Sequence, residues 1–162
     1  MSMRKKPWNR TDQPVYSISS KIGDQYNMHI ATYVTPISMQ PKQYVVGIYE
    51  GTRTLELVEQ QPVFVLQLLA AHQYNLVNLL GKQSGHQIDK VQRLQKRKLL
   101  DQWKDFFILK DALSVVLLQG QKLIESNGDH RIYVCDVIAW KNLNQGDVLT
   151  LDYLREKKMI RN

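Results

Sequence analysis

The feature that most limits the fold of this chain is a series of strand-like runs separated by turn residues. Each run is rich in β-branched and aromatic residues, and the connections carry Gly, Pro, Asn or Asp. A sheet of so many strands has edges with unpaired backbone groups. Closure into a small antiparallel barrel pairs these edges without further covering elements. We therefore predict a mainly β fold with a few short peripheral helices. The runs are residues 14–20, 28–35, 44–49, 62–69, 106–109, 113–124 and 130–140.

Length and composition predict a single globular domain. The 162 residues are 43% hydrophobic and 23% charged, which is enough apolar surface for a core without disulfides or metals. We place the domain at residues 13–162, after a basic N-terminal tail at residues 1–12. That tail has no apolar segment behind it, so it is not a secretory signal, and no run is long enough to cross a bilayer. With the lone Cys135, this predicts a protein of the reducing cytoplasm.

The net charge of +7 admits two classes of partner. Small basic domains often bind nucleic acid, so a basic nucleic-acid-binding barrel is one alternative. The excess is local, however, in clusters at residues 4–6, 96–98 and 155–161. A groove of interleaved cations and aromatics, as single strands require, is not found. Attraction for the phosphate of a flavin or dinucleotide explains the charge equally well, so the pattern does not favour nucleic acid.

A candidate phosphate site lies at Gly51-Thr52-Arg53-Thr54, directly before an apolar-periodic run that predicts a helix. Free N–H groups and the helix dipole favour an anion at such an end, and Arg53 adds a charged donor. Leu55 stands where a capping box has Glu or Gln, which leaves the threonine hydroxyls available to a ligand. The alternative is a surface helix capped by Thr52 with one solvated arginine.

The pair Asn127-Gly128 predicts a two-residue hairpin turn, since both residue types tolerate positive φ. His130 would then begin the outgoing strand on a rigid element. By residue type alone it is a strand-start histidine with no assigned chemistry. No set of His, Cys, Asp and Glu has metal-ligand spacing, and His29 and His72 are expected to be structural or exposed.

Several of these segments together resemble the flavin reductase-like, FMN-binding split-barrel family. Residues 128–134 are similar to the family's Gly-Asp-His hairpin motif, although Cys135-Asp136-Val137 replaces the usual Gly-Glu-Val. Ser84-Gly85 and Asp89-Lys90 stand where the family often has a serine-rich turn and an Asp-Lys pair. The likeness runs in order from about residue 13 to residue 155. The remaining matching segments are residues 14–16, 27–32, 36–41 and 52–54.

The resemblance implies a six-stranded antiparallel Greek-key split barrel that forms a homodimer and binds FMN near the subunit interface. It implies that the strand at Asn27 and the turn after it border the isoalloxazine ring, and that Thr52, Arg53 and Thr54 meet the phosphate. His130 is implied as the catalytic residue, near the flavin or the incoming nicotinamide. The implied cofactor-binding residues are Asn27, Met28, Ala31, Thr32, Tyr33, Val34, Thr52, Arg53, Thr54, Ser84 and Lys90.

The implied function is that of an NAD(P)H-dependent flavin reductase, in which hydride passes from NADH or NADPH to the flavin and then to an unknown acceptor. Hydride chemistry belongs to the cofactor, so no catalytic triad or metal is required. A flavin-carrying electron-transfer module without NAD(P)H activity is the first alternative, and the nucleic-acid-binding barrel is the second. Lys90 has an alternative role too, because Asp89 beside it would make a solvated surface pair.

Overall fold

The structure, a computed structural model, describes residues 5–161; residues 1–4 of the predicted basic tail and residue 162 of the predicted domain lie outside it. Strands dominate the described chain, as the sequence predicts. The strands are β1 (Tyr16–Ile22), β2 (Gln25–Ala31), β3 (Val34–Met39), β4 (Lys42–Tyr49), β5 (Val63–Leu68), β6 (Leu100–Trp103), β7 (Phe106–Leu109), β8 (Ser114–Ile124) and β9 (His130–Asn142).

The helices are short and lie between or after the strands. They are α1 (Arg53–Gln60), α2 (Val77–Lys82), α3 (Lys90–Lys96) and α4 (Leu151–Glu156), with 3₁₀ helices at Pro7–Asn9 and Ala71–Leu76. None of those described is long and apolar enough to cross a membrane.

Seven strands form one sheet in the order β2-β1-β5-β8-β9-β4-β3, and every neighbouring pair is antiparallel. The mainly β, antiparallel class is confirmed, with one strand more in this sheet than the six that the resemblance implies. β6 and β7 form a separate two-stranded ribbon.

The extra strand arises because the run at residues 28–35, predicted as one strand, is divided. Its first part pairs with β1, where Tyr16 faces Ala31, and its second part pairs with β4, where Val34 faces Val46. The chain must therefore leave one neighbour and join another at residues 32–33. This bend lies between two cavities, both of which Thr32 lines.

Strand β3 forms one end of the sheet, and its side chains are mostly exposed. Pro36 lies within it, opposite Tyr44 of β4, and a register shift follows between Pro36 and Ser38. A proline is tolerated here because the outer side of an end strand needs no ladder hydrogen bond.

The β8–β9 hairpin is present, but its turn is not the two-residue turn that Asn127-Gly128 predicts. β8 ends at Ile124 and β9 begins at His130, and the last pair of the ladder is Ile124 with Ile132. Neither Asn127 nor Gly128 has the positive φ of such a turn. The Ser126 hydroxyl instead accepts the Gly128 N–H at 3.1 Å, so a side chain organises a wider loop.

The barrel interior is filled by side chains from six strands and by helix α1. Leu55 and Val58 of α1 are buried against Ile18, Phe64 and Leu118. On the other side of β1 and β2, a second cluster packs α2, α3 and α4 around Met28 and Leu80. β2 therefore lies between the barrel core and the helical layer, and the helices around it enclose a cavity.

Candidate functional site

A cavity of about 520 Å³ lies between β2, the beginning of α1, helix α2, the loop at residues 83–85 and helix α4. It is formed by segments far apart in the sequence, which is typical of a binding site. Of the residues predicted to bind a cofactor, six line it: Asn27, Thr32, Thr52, Arg53, Ser84 and Lys90.

The beginning of α1 is organised by its two threonines, but their hydroxyls are not free. Thr52 is the N-cap: its hydroxyl accepts the Leu55 N–H at 3.2 Å and donates to the Tyr49 carbonyl oxygen at 2.8 Å. Thr54 is fully buried, and its hydroxyl accepts the Asn27 side-chain amide at 2.9 Å. The expectation that both hydroxyls are free is therefore wrong, because each already forms a hydrogen bond within the fold, and their contact with a ligand stays a prediction.

Arg53 lies at the wall of the cavity, held by two neighbours. Its guanidinium donates to Glu56 at 2.9 Å and to Gln25 at 2.5 Å. A guanidinium has five N–H donors, so three remain for a ligand. Glu56 also contacts His86 Nε2 at 2.6 Å, and the Arg53 and His86 contacts lower the pKa of its carboxyl. This pair of contacts joins α1 to the loop that carries Ser84, whose hydroxyl accepts the His86 N–H.

Lys90 is the buried cation of the site. Only 4% of it is exposed, and its ammonium donates to the Leu80 carbonyl oxygen at 2.9 Å. Burial lowers the pKa of Lys90 to about 8. The solvated pair with Asp89 does not form, because Asp89 caps α3 by accepting the Gln92 N–H. In the described chain no carboxylate lies within 4.0 Å of the Lys90 ammonium.

His29, which the residue type alone predicts to be structural or exposed, also lines this cavity. It is 8% exposed, and its Nδ1 atom is buried without a hydrogen-bond partner among residues 5–161. Burial, and then the positive charges of Lys90 and His130, lower the pKa of His29 to about 3, so the imidazole is neutral. The signal that finds it is the period of the strand, since alternation places His29 on the same face as Asn27 and Ala31.

A second cavity, of about 730 Å³, adjoins the first, and Thr32 lines both. It brings together the other predicted residues of the bend and the hairpin, namely Tyr33, Val34 and His130. The rings of Tyr33 and His130 meet edge to face, with centroids 4.4 Å apart. Gly47 makes this possible, since a Cβ there would lie 3.1 Å from the Tyr33 Cβ. His130 Nδ1 lies 2.7 Å from Asp129 Oδ1, which fixes the ring.

Three predicted residues line neither cavity. Met28 and Ala31 are buried in the two core clusters on opposite faces of β2, and Thr54 is buried under Asn27. A contact between a ligand and Met28 or Ala31 would involve their backbone atoms, because the side chains pack inside the protein. Their roles stay predictions.

Taken together, the site suits a ligand that has an anionic end and a planar end. The cations Lys90 and Arg53 face the first cavity, and aromatic rings face the second. The His29 imidazole lines the first cavity, and among the described residues its buried Nδ1 has no hydrogen-bond partner. These features fit FMN, the cofactor that the resemblance implies. Among the described residues no three His, Cys, Asp or Glu side chains are grouped as metal ligands.

Known proteins share this architecture. The FMN-binding protein from Thermus thermophilus superposes with a TM-score of 0.74 at 21% identity, over 88% of this chain and 78% of that one. BorF, the flavin reductase component of a bacterial two-component tryptophan halogenase, superposes with a TM-score of 0.78 at 16% identity, over 91% of this chain and 90% of BorF. At these identities the likeness shows a common fold, and it confirms the split-barrel prediction.

Sequence comparison extends the likeness to the family level. The high molecular weight rubredoxin of Moorella thermoacetica is 25% identical over 145 residues, which are 89% of this chain. The chain spans 62% of that relative's length. Residues 8–159 match the family model described as the flavin reductase like domain. Nearly the whole chain is covered by this match, and the protein belongs to the flavin reductase-like family.

Proposed function

We propose that this protein is an FMN-binding oxidoreductase, an NAD(P)H-dependent flavin reductase. One observation carries the proposal: the Lys90 ammonium is buried in the cavity without a carboxylate partner among the described residues. A desolvated cation costs free energy unless an anion approaches it. The phosphate of FMN is such an anion, and Arg53 lies in the same cavity to bind it as well.

The chain's own residues would hold the cofactor from its two ends. Lys90 and Arg53 bind the phosphate, and the loop with Ser84 closes over it. Thr32, Tyr33 and Val34, at the bend between β2 and β3, border the ring, with Ala31 contributing its backbone. Bound FMN supplies two-electron chemistry, so the protein has to position, orient and shield rather than provide a nucleophile.

The second cavity is the proposed place for the nicotinamide of NADH or NADPH. The flavin ring is placed at the bend where the two cavities meet at Thr32, and a nicotinamide in the rest of the second cavity would lie beside it. His130 is held there by Asp129 and by the edge of Tyr33. Since a carboxylate only accepts hydrogen bonds, Nδ1 donates to Asp129 and Nε2 is left to contact a ligand. His130 would therefore orient the donor.

A homodimer is part of the proposal. The sheet has two edge strands, β2 and β3. Helices α2 and α3 cover β2, whereas no helix of the described residues covers β3 in the same way. Ile37 and Met39 of β3 are 49% and 91% exposed. An uncovered end strand with apolar side chains favours pairing with another chain, and a second copy is the partner always present. The cytoplasm remains the proposed location.

A second candidate function is an electron-transfer module without NAD(P)H activity. The observation that favours it is the relative named a rubredoxin, of which this chain spans 62%. Anaerobic mixing with NADH or NADPH separates the two functions, because only the reductase bleaches bound FMN. The nucleic-acid alternative has no support from the family to which the chain belongs.

The deciding experiment compares the affinities of FMN and riboflavin by fluorescence titration. We expect FMN to bind at least tenfold more tightly, since each charged contact to the phosphate contributes roughly 1.5–3 kcal/mol. Arg53→Ala should weaken FMN and leave riboflavin nearly unchanged. Arg97→Ala is the matched control, because Arg97 is exposed at the end of α3 and lines neither cavity. Equal affinities for the two flavins would remove the basis of the proposal.

A further inference from the structure

His29 lines the first cavity, but none of the proposed contacts to the phosphate or to the ring involves it. Strand alternation places it between Asn27 and Ala31 on one face of β2. Adjacent side chains on one face of a strand are separated by about 7 Å. His29 therefore lies one such step from Ala31, at the proposed ring end, and it lines the same cavity as Lys90 and Arg53, at the proposed phosphate end.

The imidazole is polar, buried and incompletely paired. Within the described part of the chain its Nδ1 has no hydrogen-bond partner, although nearly all buried polar atoms in folded proteins have one. The neighbouring charges do not offer a partner either. Burial, and then the positive charges of Lys90 and His130, lower the pKa of His29 and keep the ring neutral. Because Nδ1 is buried from solvent, Nε2 is the nitrogen left to contact a ligand in the cavity, and in a neutral imidazole it either donates or accepts a hydrogen bond.

We propose that His29 is a specificity residue that hydrogen-bonds the ribityl hydroxyls of bound flavin. This inference rests on the proposed function. The ribityl chain joins the ring to the phosphate, so its hydroxyls lie between the two ends of the site, as His29 does. A hydroxyl donates and accepts, which matches the neutral imidazole. The phosphate would instead bind Lys90 and Arg53, and the isoalloxazine ring would contact the bend at Thr32.

The experiment uses three flavins that differ only in the parts concerned: FMN, riboflavin without the phosphate, and lumiflavin without the ribityl chain. Their affinities are measured by fluorescence titration for the wild type, His29→Leu and His29→Gln. The two variants have similar volume, but only glutamine can hydrogen-bond. His72→Leu is the matched control, since its side chain is 68% exposed and lines neither cavity.

We expect His29→Leu to weaken FMN and riboflavin alike, by about fivefold to tenfold, and lumiflavin by less than twofold. His29→Gln should recover part of the loss. The ratio of riboflavin to lumiflavin affinity is read within one variant, so a reduced fraction of folded protein cancels.

Two outcomes would overturn the role of His29 while the proposed function stands. One is an equal loss for all three flavins, which indicates packing alone. The other is a loss confined to FMN, which indicates a phosphate contact. A wild type that binds none of the three would overturn the proposed function itself, and the role of His29 with it.

Discussion

The Lys90 ammonium donates to the Leu80 carbonyl oxygen at 2.9 Å, so the first residue of α3 is tied to helix α2 inside the cavity. This single contact cannot replace the water that the ammonium loses on burial. The pKa of Lys90 accordingly falls from its ordinary 10.5 to about 8. The charge is therefore present at neutral pH, at a cost to the free protein.

The first prediction is that Lys90→Met stabilises the protein without ligand at pH 7. Lowering the pKa of Lys90 from 10.5 to about 8 corresponds to a cost of burying its charge on the order of 3 kcal/mol. The substitution also removes the hydrogen bond to Leu80, which contributes roughly 1–2 kcal/mol to stability. We expect a net gain of about 1 kcal/mol in the free energy of unfolding, measured by urea denaturation. Lys96→Met, at an exposed position on α3, is the control and should change little.

The pH dependence of this gain follows from linkage. Between about pH 8 and pH 10.5 Lys90 is protonated in the unfolded chain and neutral in the folded one, so the wild type gains stability as the pH rises. Lys90→Met lacks this gain. Its advantage should therefore shrink and reverse across that window, and an advantage independent of pH would contradict the assigned cause.

The second prediction concerns the affinity for FMN above neutral pH. Charged Lys90 attracts the phosphate, and the free protein loses that charge as the pH rises through about 8. FMN affinity should then fall by about tenfold between pH 7.5 and 9.5, since one charged hydrogen bond is worth roughly 1.5–3 kcal/mol. Riboflavin serves as the control ligand, and a parallel fall in its affinity would point to another group.

The third prediction concerns Thr54, whose hydroxyl accepts the Asn27 amide in a fully buried pair. Thr54→Val keeps the shape but leaves a buried donor unpaired, so we expect a loss of roughly 1–3 kcal/mol in unfolding free energy. Thr54→Ser keeps the hydroxyl and should lose less. Chemical denaturation of both variants measures the difference. A valine variant as stable as the serine variant would show that the pair contributes nothing.

Much of the fold can be predicted from local sequence, and strands β2 and β3 show the limit of such prediction. The β-branched and aromatic run at residues 28–35 predicts the second half of β2 and the first two residues of β3, but as one continuous strand. The division at residues 32–33 is not predicted, because it depends on which neighbour each half pairs with, and β1 and β4 are distant in the chain. The tight turn at Asn127-Gly128 fails for a similar reason, since the Ser126 side chain offers the loop a competing hydrogen bond.

The candidate site divides in the same way. Arg53 and Lys90, which the resemblance implies as cofactor-binding residues, both line the first cavity. Whether Lys90 pairs with Asp89 or is buried alone depends on the packing of α3 against α2, which spacing does not reveal. The sequence could have indicated His29, because side-chain alternation along the strand places it on the same face as Asn27 and Ala31. The same period directs the Met28 side chain to the opposite face.

The fourth prediction is that the protein sediments as a dimer at micromolar concentration. Met39 is 91% exposed on the uncovered strand β3, and a second copy would bury it. Met39→Lys combined with Ile37→Lys should shift the population toward monomer, since charged side chains on an end strand oppose pairing. Ile138→Lys is the control, at an exposed apolar position on β9. A monomeric wild type with FMN bound would exclude the proposed assembly.

The last prediction concerns His130, which Asp129 and Tyr33 hold at the second cavity rather than at the phosphate end. A residue placed there should act on the nicotinamide or on charge in the transition state, and much less on flavin binding. His130→Ala should slow the anaerobic reduction of bound FMN by NADH or NADPH by about tenfold to a hundredfold, with FMN affinity changed less than about threefold.

His130→Asn separates hydrogen bonding from charge in the same assay, because asparagine can contact a ligand but cannot become a cation. A partial recovery of the reduction rate would assign the effect to hydrogen bonding. His72→Ala controls for the loss of an exposed histidine elsewhere. Stopped-flow absorbance follows the bleaching directly, and unaltered kinetics in His130→Ala would return His130 to a residue that only flanks the hairpin loop and packs against Tyr33.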